Sequence, residues 1–169
     1  MQVKFKGQPV EIGGENILQV GDKAPVAKVV TTELEEIEVG GAKDKIQVLI
    51  TVPSLDTPVC ATETKRFNEL ISGKEGIFPV VISMDLPFAS KRFCTTEGIE
   101  NLTVASDFRY GDFKKKFGIE IKEGPLAGLL ARTVFIVDKD GIIKYIQVVP
   151  EITEEPNYDD VLKALSQLN

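Results

Sequence analysis

Cys60 and Cys94 are the two thiols of this chain, and Cys60 sits where a thiol can act as a nucleophile. It ends the stretch Pro53-Ser54-Leu55-Asp56-Thr57-Pro58-Val59-Cys60, which follows an apolar run closing at Val52. Pro53 cannot donate to a strand ladder, so the strand stops there. Thr57 suits the N-cap of a helix, and Pro58 then falls on the first helical position, where its missing N–H costs nothing. Cys60 becomes the third helical residue, beside unpaired backbone amides and the positive end of the helix dipole. With a cation nearby, such a site lowers a thiol pKa from about 8.5 into roughly the 3.5–7.5 range, and the thiolate is the reactive form. A small buried hydrophobe fits the same spacing, so helix register alone leaves both readings open. Glu63 comes too late after Thr57 to complete a capping box.

No histidine is present. Its absence excludes Ser-His-Asp triads, Cys-His dyads and His-ligated metal or haem centres, and two thiols are too few for a structural zinc. The 20 Lys and Arg against 26 Asp and Glu give a net charge of −6. With a pI near 4.8, nucleic acid and anionic membranes are not expected as partners, because counterion release needs clustered cations. The N-terminal residues lack the apolar core of a signal peptide, and no apolar run approaches the ~20 residues of a spanning helix. The expected compartment is the cytoplasm, where a cysteine pair serves redox chemistry rather than a static staple. A mature periplasmic chain would read the same.

The pattern of apolar and polar residues is that of a single α/β domain over residues 1–169. Val3 to Ile12 alternates about a Gly-containing turn and reads as an N-terminal hairpin within about residues 1–14, closed by Gly13-Gly14. A second alternating pair spans Ala27 to Val39, and Ile46 to Val52 is a near-continuous apolar run, typical of a strand buried on both faces. Helices are expected over Pro58–Ile71, Pro87 to about Thr96, Tyr110–Phe117 and Tyr158–Leu168. Strands are expected over Phe78–Met84, Leu102–Ala105, Thr133–Val137 and Ile142–Val149, the last two joined by the turn Asp138-Lys139-Asp140-Gly141. Such an order builds a central mixed sheet flanked by helices.

The pattern Pro53-x-x-x-Thr57-x-x-Cys60 resembles the peroxiredoxin active-site motif at each of its three fixed positions. The resemblance extends through Ser83-Met84-Asp85-Leu86-Pro87-Phe88-Ala89, Ser106-Asp107-Phe108-Arg109, Gly124–Arg132 and Tyr145–Glu151, and so covers essentially the whole chain. It implies a thioredoxin-like fold with an added N-terminal β-hairpin. It also implies roles: Cys60 as peroxidatic nucleophile, Thr57 as hydrogen-bond partner of the peroxide, Pro53 as a shield, and Arg132 as the cation that positions the peroxide. A surface ion pair is the ordinary alternative for Arg132.

No cysteine follows Cys94, and Lys65 stands where one subtype of the family carries its resolving thiol. The pair therefore resembles that of the atypical two-cysteine peroxiredoxins found among bacterial thiol peroxidases. Cys94, 34 residues after Cys60, is then the resolving thiol of an intrachain Cys60–Cys94 disulfide. The same resemblance implies alkyl and lipid hydroperoxides and hydrogen peroxide as substrates, thioredoxin as reductant and a homodimer, with no cofactor. Phe88, Leu126 and Leu129 are candidates to line an apolar approach, core packing being the plainer alternative. Competing functions are a general thiol-disulfide oxidoreductase, against which the lack of C-x-x-C counts, and a non-catalytic thioredoxin-like binding or chaperone module.

Overall fold

The computed structural model describes residues 1–168. The chain opens with β1 (Gln2–Phe5) and β2 (Gln8–Gly13), an antiparallel hairpin pairing Val3 with Val10. Its turn residues Lys6 and Gly7 have φ of 52° and 81°, the left-handed values that match the twist of a two-residue hairpin turn. There follow β3 (Ala27–Thr31), β4 (Glu36–Val39), β5 (Ile46–Thr51), α1 (Pro58–Ile71), β6 (Ile77–Ser83), α2 (Pro87–Glu97), β7 (Thr103–Ser106), α3 (Asp112–Lys116), β8 (Glu120–Ile121), β9 (Thr133–Val137), β10 (Ile143–Val148) and α4 (Tyr158–Ser166).

The main sheet has the order β10-β9-β5-β6-β7-β3-β4. β5, β6 and β7 run parallel and the other neighbours antiparallel, which makes it the mixed sheet expected from the sequence. Period-2 alternation divides the central strand between two cores. Val48 and Ile50 face a cluster with Phe67 and Ile71 of α1 and Val161 and Leu165 of α4. Leu49 faces the opposite cluster, with Val3, Val10 and Ile12 of the hairpin and Phe113, Phe117 and Phe135. Gln47 is a buried polar residue on β5; its side-chain amide accepts from Gly40 N (2.8 Å) and donates to the Gly41 carbonyl (3.0 Å).

Three details differ from the sequence expectation. β8, too short to carry a periodic signal, pairs Ile121 with Ile12 and Glu120 with Gly13, so the hairpin becomes a three-stranded sheet and Gly13 ends a strand instead of turning. Gly14 passes so close to α3 that a Cβ there would lie 2.4 Å from the Lys115 carbonyl oxygen. The helix expected over Tyr110–Phe117 is confined to Asp112–Lys116, because Gly111 takes a left-handed φ of 60° and Asp107 accepts from Phe113 N and Lys114 N (2.8 and 2.9 Å). α4 stops at Ser166, and Leu168 N bonds Leu165 O in a tighter closing turn. Among the described residues no helix is long and apolar enough to cross a membrane.

Candidate active site

The loop from β5 to α1 is held before the helix begins. Asp85, just beyond β6, accepts from Ser54 Oγ (2.8 Å), Leu55 N (2.7 Å) and Ser83 Oγ (2.8 Å). Pro58 occupies the first helical position and Thr57 the N-cap, with extended φ and ψ of −97° and 147°. The Thr57 hydroxyl, however, makes no cap bond; it donates instead to the Ser54 carbonyl (3.0 Å), because the tight Ser54–Thr57 turn brings that oxygen within reach. The amides of the first turn are left without a side-chain acceptor, and Cys60 is the third residue of that turn.

Cys60 is a free thiol with no exposed surface. Arg132 lies against it, immediately before β9 and only 2% exposed. Its Nη1 donates to Cys60 Sγ (3.3 Å) and to Glu63 Oε1 (2.7 Å), while Nε and Nη2 both donate to the Ile152 carbonyl (2.9 and 2.8 Å). The planar fork of a guanidinium is needed to satisfy these directions at once. Burial works against the Arg132 charge, but Glu63 and Cys60 outweigh it and hold the guanidinium protonated more firmly than usual. Burial also pushes the Glu63 carboxyl up to about 7, against the attraction of Arg132. Glu63 Oε2 has no hydrogen-bond partner.

A second layer holds the Arg132 acceptor. Ile152 N bonds Lys4 O, Lys4 N bonds Pro150 O, and Glu151 accepts from Lys6 N, Gly7 N, Thr153 N and Thr153 Oγ1. These bonds, led by that from Thr153 N, hold the Glu151 carboxyl down at about 2. The N-terminal hairpin is thereby tied to the carbonyl that orients Arg132.

A cavity of about 350 Å³ opens beside this group, lined by Pro53, Thr57, Leu126, Leu129 and Arg132 together with residues of the hairpin and the Ile152 loop. Of the expected residues, Pro53, Thr57, Leu126, Leu129 and Arg132 converge on this cavity, whereas Phe88 and Cys94 do not. Phe88, in the first turn of α2, is 68% exposed and takes no part in this lining, because it lies on the outward side of its helix. Cys60 is also absent from the lining; its sulfur lies one hydrogen bond from Arg132, which is present. Cys94 lies on α2, half-buried and free, packed against the cluster that contains Cys60, with burial pushing its thiol pKa up. It lines a separate groove with Thr31, Lys91 and Leu102.

Sequence reasoning missed the Glu63 pairing, the Asp85 anchor and the Glu151 clamp. Glu63 stands three residues after Cys60, on the same helix face, and this spacing is the signal that could have found it. Glu151 and Asp85 bond across 145 and 30 residues of chain, and no local spacing announces such contacts.

A family model described as Redoxin matches residues 19–162. The thiol peroxidase of Aquifex aeolicus is 61% identical over 166 residues, covering 98% of this chain and 97% of that protein. The thiol peroxidase of Campylobacter jejuni is 52% identical over 155 residues, with 92% and 87% covered. The crystal structure of a peroxiredoxin-like protein from Aquifex aeolicus superposes with a TM-score of 0.96 at 60% identity, covering 99% of this chain and 97% of the other. A thiol peroxidase from Chromobacterium violaceum shares the fold, with a TM-score of 0.84 at 21% identity over 98% and 95% of the two chains. With a thiol in the first turn of a helix beside a buried arginine, and with relatives of this identity along nearly its whole length, the chain belongs to the peroxiredoxins, in their bacterial thiol peroxidase branch.

Proposed function

We propose that the chain reduces hydroperoxides at Cys60 and completes each turnover through an intrachain disulfide with Cys94. The observation that carries this reading is Arg132 Nη1 at 3.3 Å from Cys60 Sγ, buried at the edge of an apolar cavity that Pro53 and Thr57 also line. The Cys60 thiolate attacks the terminal peroxide oxygen, the O–O bond breaks, and the alkoxide leaves as an alcohol after taking a proton. The sulfur becomes a sulfenic acid. Arg132 and the unsatisfied amides of the first α1 turn stabilise the negative charge that moves onto the leaving oxygen. Thr57, whose hydroxyl is close to both cavity and helix start, offers a polar partner to the peroxide.

Cys94 then displaces water from the sulfenic acid to form the disulfide. The two thiols belong to different helices, and a disulfide requires Cα atoms within about 7 Å. Local unwinding of the first turn of α1 and of the segment around Cys94 accompanies this step. A dithiol protein of the thioredoxin type returns both thiols by exchange. In this reading the enzyme works in the cytoplasm as a homodimer, with alkyl and lipid hydroperoxides favoured and Leu126 and Leu129 forming the apolar wall.

The decisive experiment is a coupled assay with thioredoxin, its reductase and cumene hydroperoxide, run beside non-reducing mass spectrometry after one equivalent of peroxide. The expected product is a chain lighter by two hydrogen atoms, with turnover lost in Cys60→Ser and thioredoxin-dependent cycling lost in Cys94→Ser. Peroxide turnover by Cys60→Ser would overturn the mechanism, and cycling by Cys94→Ser would remove only the resolving role.

A further inference from the structure

Two nitrogens of the Arg132 guanidinium, Nε and Nη2, donate to one backbone oxygen, that of Ile152 (2.9 and 2.8 Å). The third, Nη1, is thereby aimed at Cys60 Sγ and Glu63 Oε1 (3.3 and 2.7 Å). A guanidinium is planar and rigid, so the direction of the Ile152 carbonyl sets the direction of Nη1. That carbonyl belongs to the peptide unit joining Ile152 to Thr153, which is planar and trans, with its N–H pointing away from its C=O.

Glu151 holds the other side of this same peptide. Its Oε2 accepts from Thr153 N (3.1 Å), Thr153 Oγ1 (2.9 Å) and Lys6 N (3.1 Å), and its Oε1 accepts from Gly7 N (2.7 Å). The peptide is therefore gripped at its N–H by a carboxylate and at its C=O by the arginine fork. The neighbouring ties, Ile152 N to Lys4 O (2.8 Å) and Glu154 N to Glu151 O (2.9 Å), run between backbone atoms. Rotation of the Ile152–Thr153 plane would break the Glu151 and Arg132 bonds together. The bonds to Glu151 also keep its carboxyl ionised at neutral pH, so the grip holds there.

We infer that Glu151 is a positioning residue for the peroxide reaction: through the Ile152–Thr153 peptide it aims Arg132 Nη1 at the sulfur and at the oxygen under attack. The inference rests on the peroxidase reading and adds to that site a residue that does not line its cavity. The N-terminal hairpin, whose turn amides complete the grip, becomes a support of the active site. Without the carboxylate, the Thr153 and Gly7 N–H groups lose their acceptor and the carbonyl is free to swing. Misplacing a catalytic group by about 1 Å costs up to about 10²-fold in rate.

Stopped-flow measurement of the reduced protein reacting with peroxide tests this, with hydrogen peroxide and cumene hydroperoxide as substrates. In Glu151→Ala the second-order rate constant should fall about ten-fold for both, less than on loss of Arg132 itself, since Glu63 still holds Nη1. Glu151→Gln should fall less, because its carbonyl oxygen can take the Oε2 place and keep three of the four bonds. The deciding measurement repeats the substitution in Arg132→Met/Glu63→Gln, which lacks the guanidinium without leaving a carboxylate unpaired. There Glu151→Ala should change the residual rate by less than about two-fold, because a residue that acts through Arg132 has nothing left to aim. Where the alanine variant fails to fold, Glu151→Gln is compared across the same two backgrounds. A fall by the same factor with and without Arg132, a fall confined to cumene hydroperoxide, or an unchanged rate overturns the assignment. Failure of the unsubstituted protein to consume either peroxide would instead sink the peroxidase reading itself.

Discussion

Replacing Arg132 by Met should damage stability and catalysis by separable amounts. Arg132 and Glu63 are 3% and 0% exposed and meet at 2.7 Å, so removing the guanidinium leaves a buried carboxyl with no cation. Breaking such a pair costs about 3–5 kcal/mol. The penalty should depend on pH with a defined sign. The Glu63 carboxyl, pushed up to about 7 from an ordinary value of 4.5, makes the folded state bind more protons than the unfolded state between those values. Stability from this group is therefore fully present below about pH 4.5 and declines as pH rises to about 7. In Arg132→Met the carboxyl shifts higher still, and the decline should continue beyond pH 7 with a slope approaching about 1.4 kcal/mol per pH unit. Adding Glu63→Gln removes the titrating group, so the double variant should recover most of the lost stability and flatten the profile. It should not recover activity, because the donor aimed at Cys60 Sγ is still missing; loss of one such donor costs about 10²–10³ in rate. Urea unfolding followed by far-UV circular dichroism between pH 5 and 8, beside single-turnover consumption of cumene hydroperoxide, measures both. Equal activity in the double variant and the unsubstituted protein would refute the catalytic part. A single variant no less stable than the double at pH 8 would refute the electrostatic part.

Two further outcomes follow from the scaffold. Asp85→Ala removes the acceptor of Ser54 Oγ, Leu55 N and Ser83 Oγ, so it should cost about 1.5–3 kcal/mol, the range for hydrogen bonds to a charged group; it should also lower kcat/KM for peroxide by loosening the approach to α1, as urea titration and the coupled assay would reveal. Gly40→Ala should destabilise by more than the roughly 1–2 kcal/mol of a left-handed residue alone, because φ is 81° and the added Cβ would lie 1.8 Å from the Pro25 carbonyl oxygen; a melting temperature equal to that of the unsubstituted protein would contradict this.

Much of the sheet was legible because the signals were local. Val48, Leu49 and Ile50 announce a strand buried on both sides, Asp138–Gly141 announces a turn, and Thr57-Pro58 announces a helix start. The register that places Cys60 third in α1 follows from the same few residues. Other features have no such signal. β8 is two residues long, and its place is set by Ile12 and Gly13 of a distant hairpin. Phe88 belongs to a motif that the resemblance made prominent, yet the orientation of α2 turns it outward.

The sequence by itself determined that a thiol stands in the first turn of a helix, in a chain with no imidazole to deprotonate it, and its motifs resembled those of one family. Only the tertiary structure decided what surrounds that thiol. Arg132 comes from 72 residues away to reach Cys60, Glu63 and the Ile152 carbonyl fix its fork, and Glu151 ties that carbonyl to a hairpin 145 residues earlier. The physical reason is range. Caps, turns and strand periodicity depend on residues within a few positions of one another, whereas the desolvation that gives a buried ion pair its strength exists only once distant segments have excluded water together.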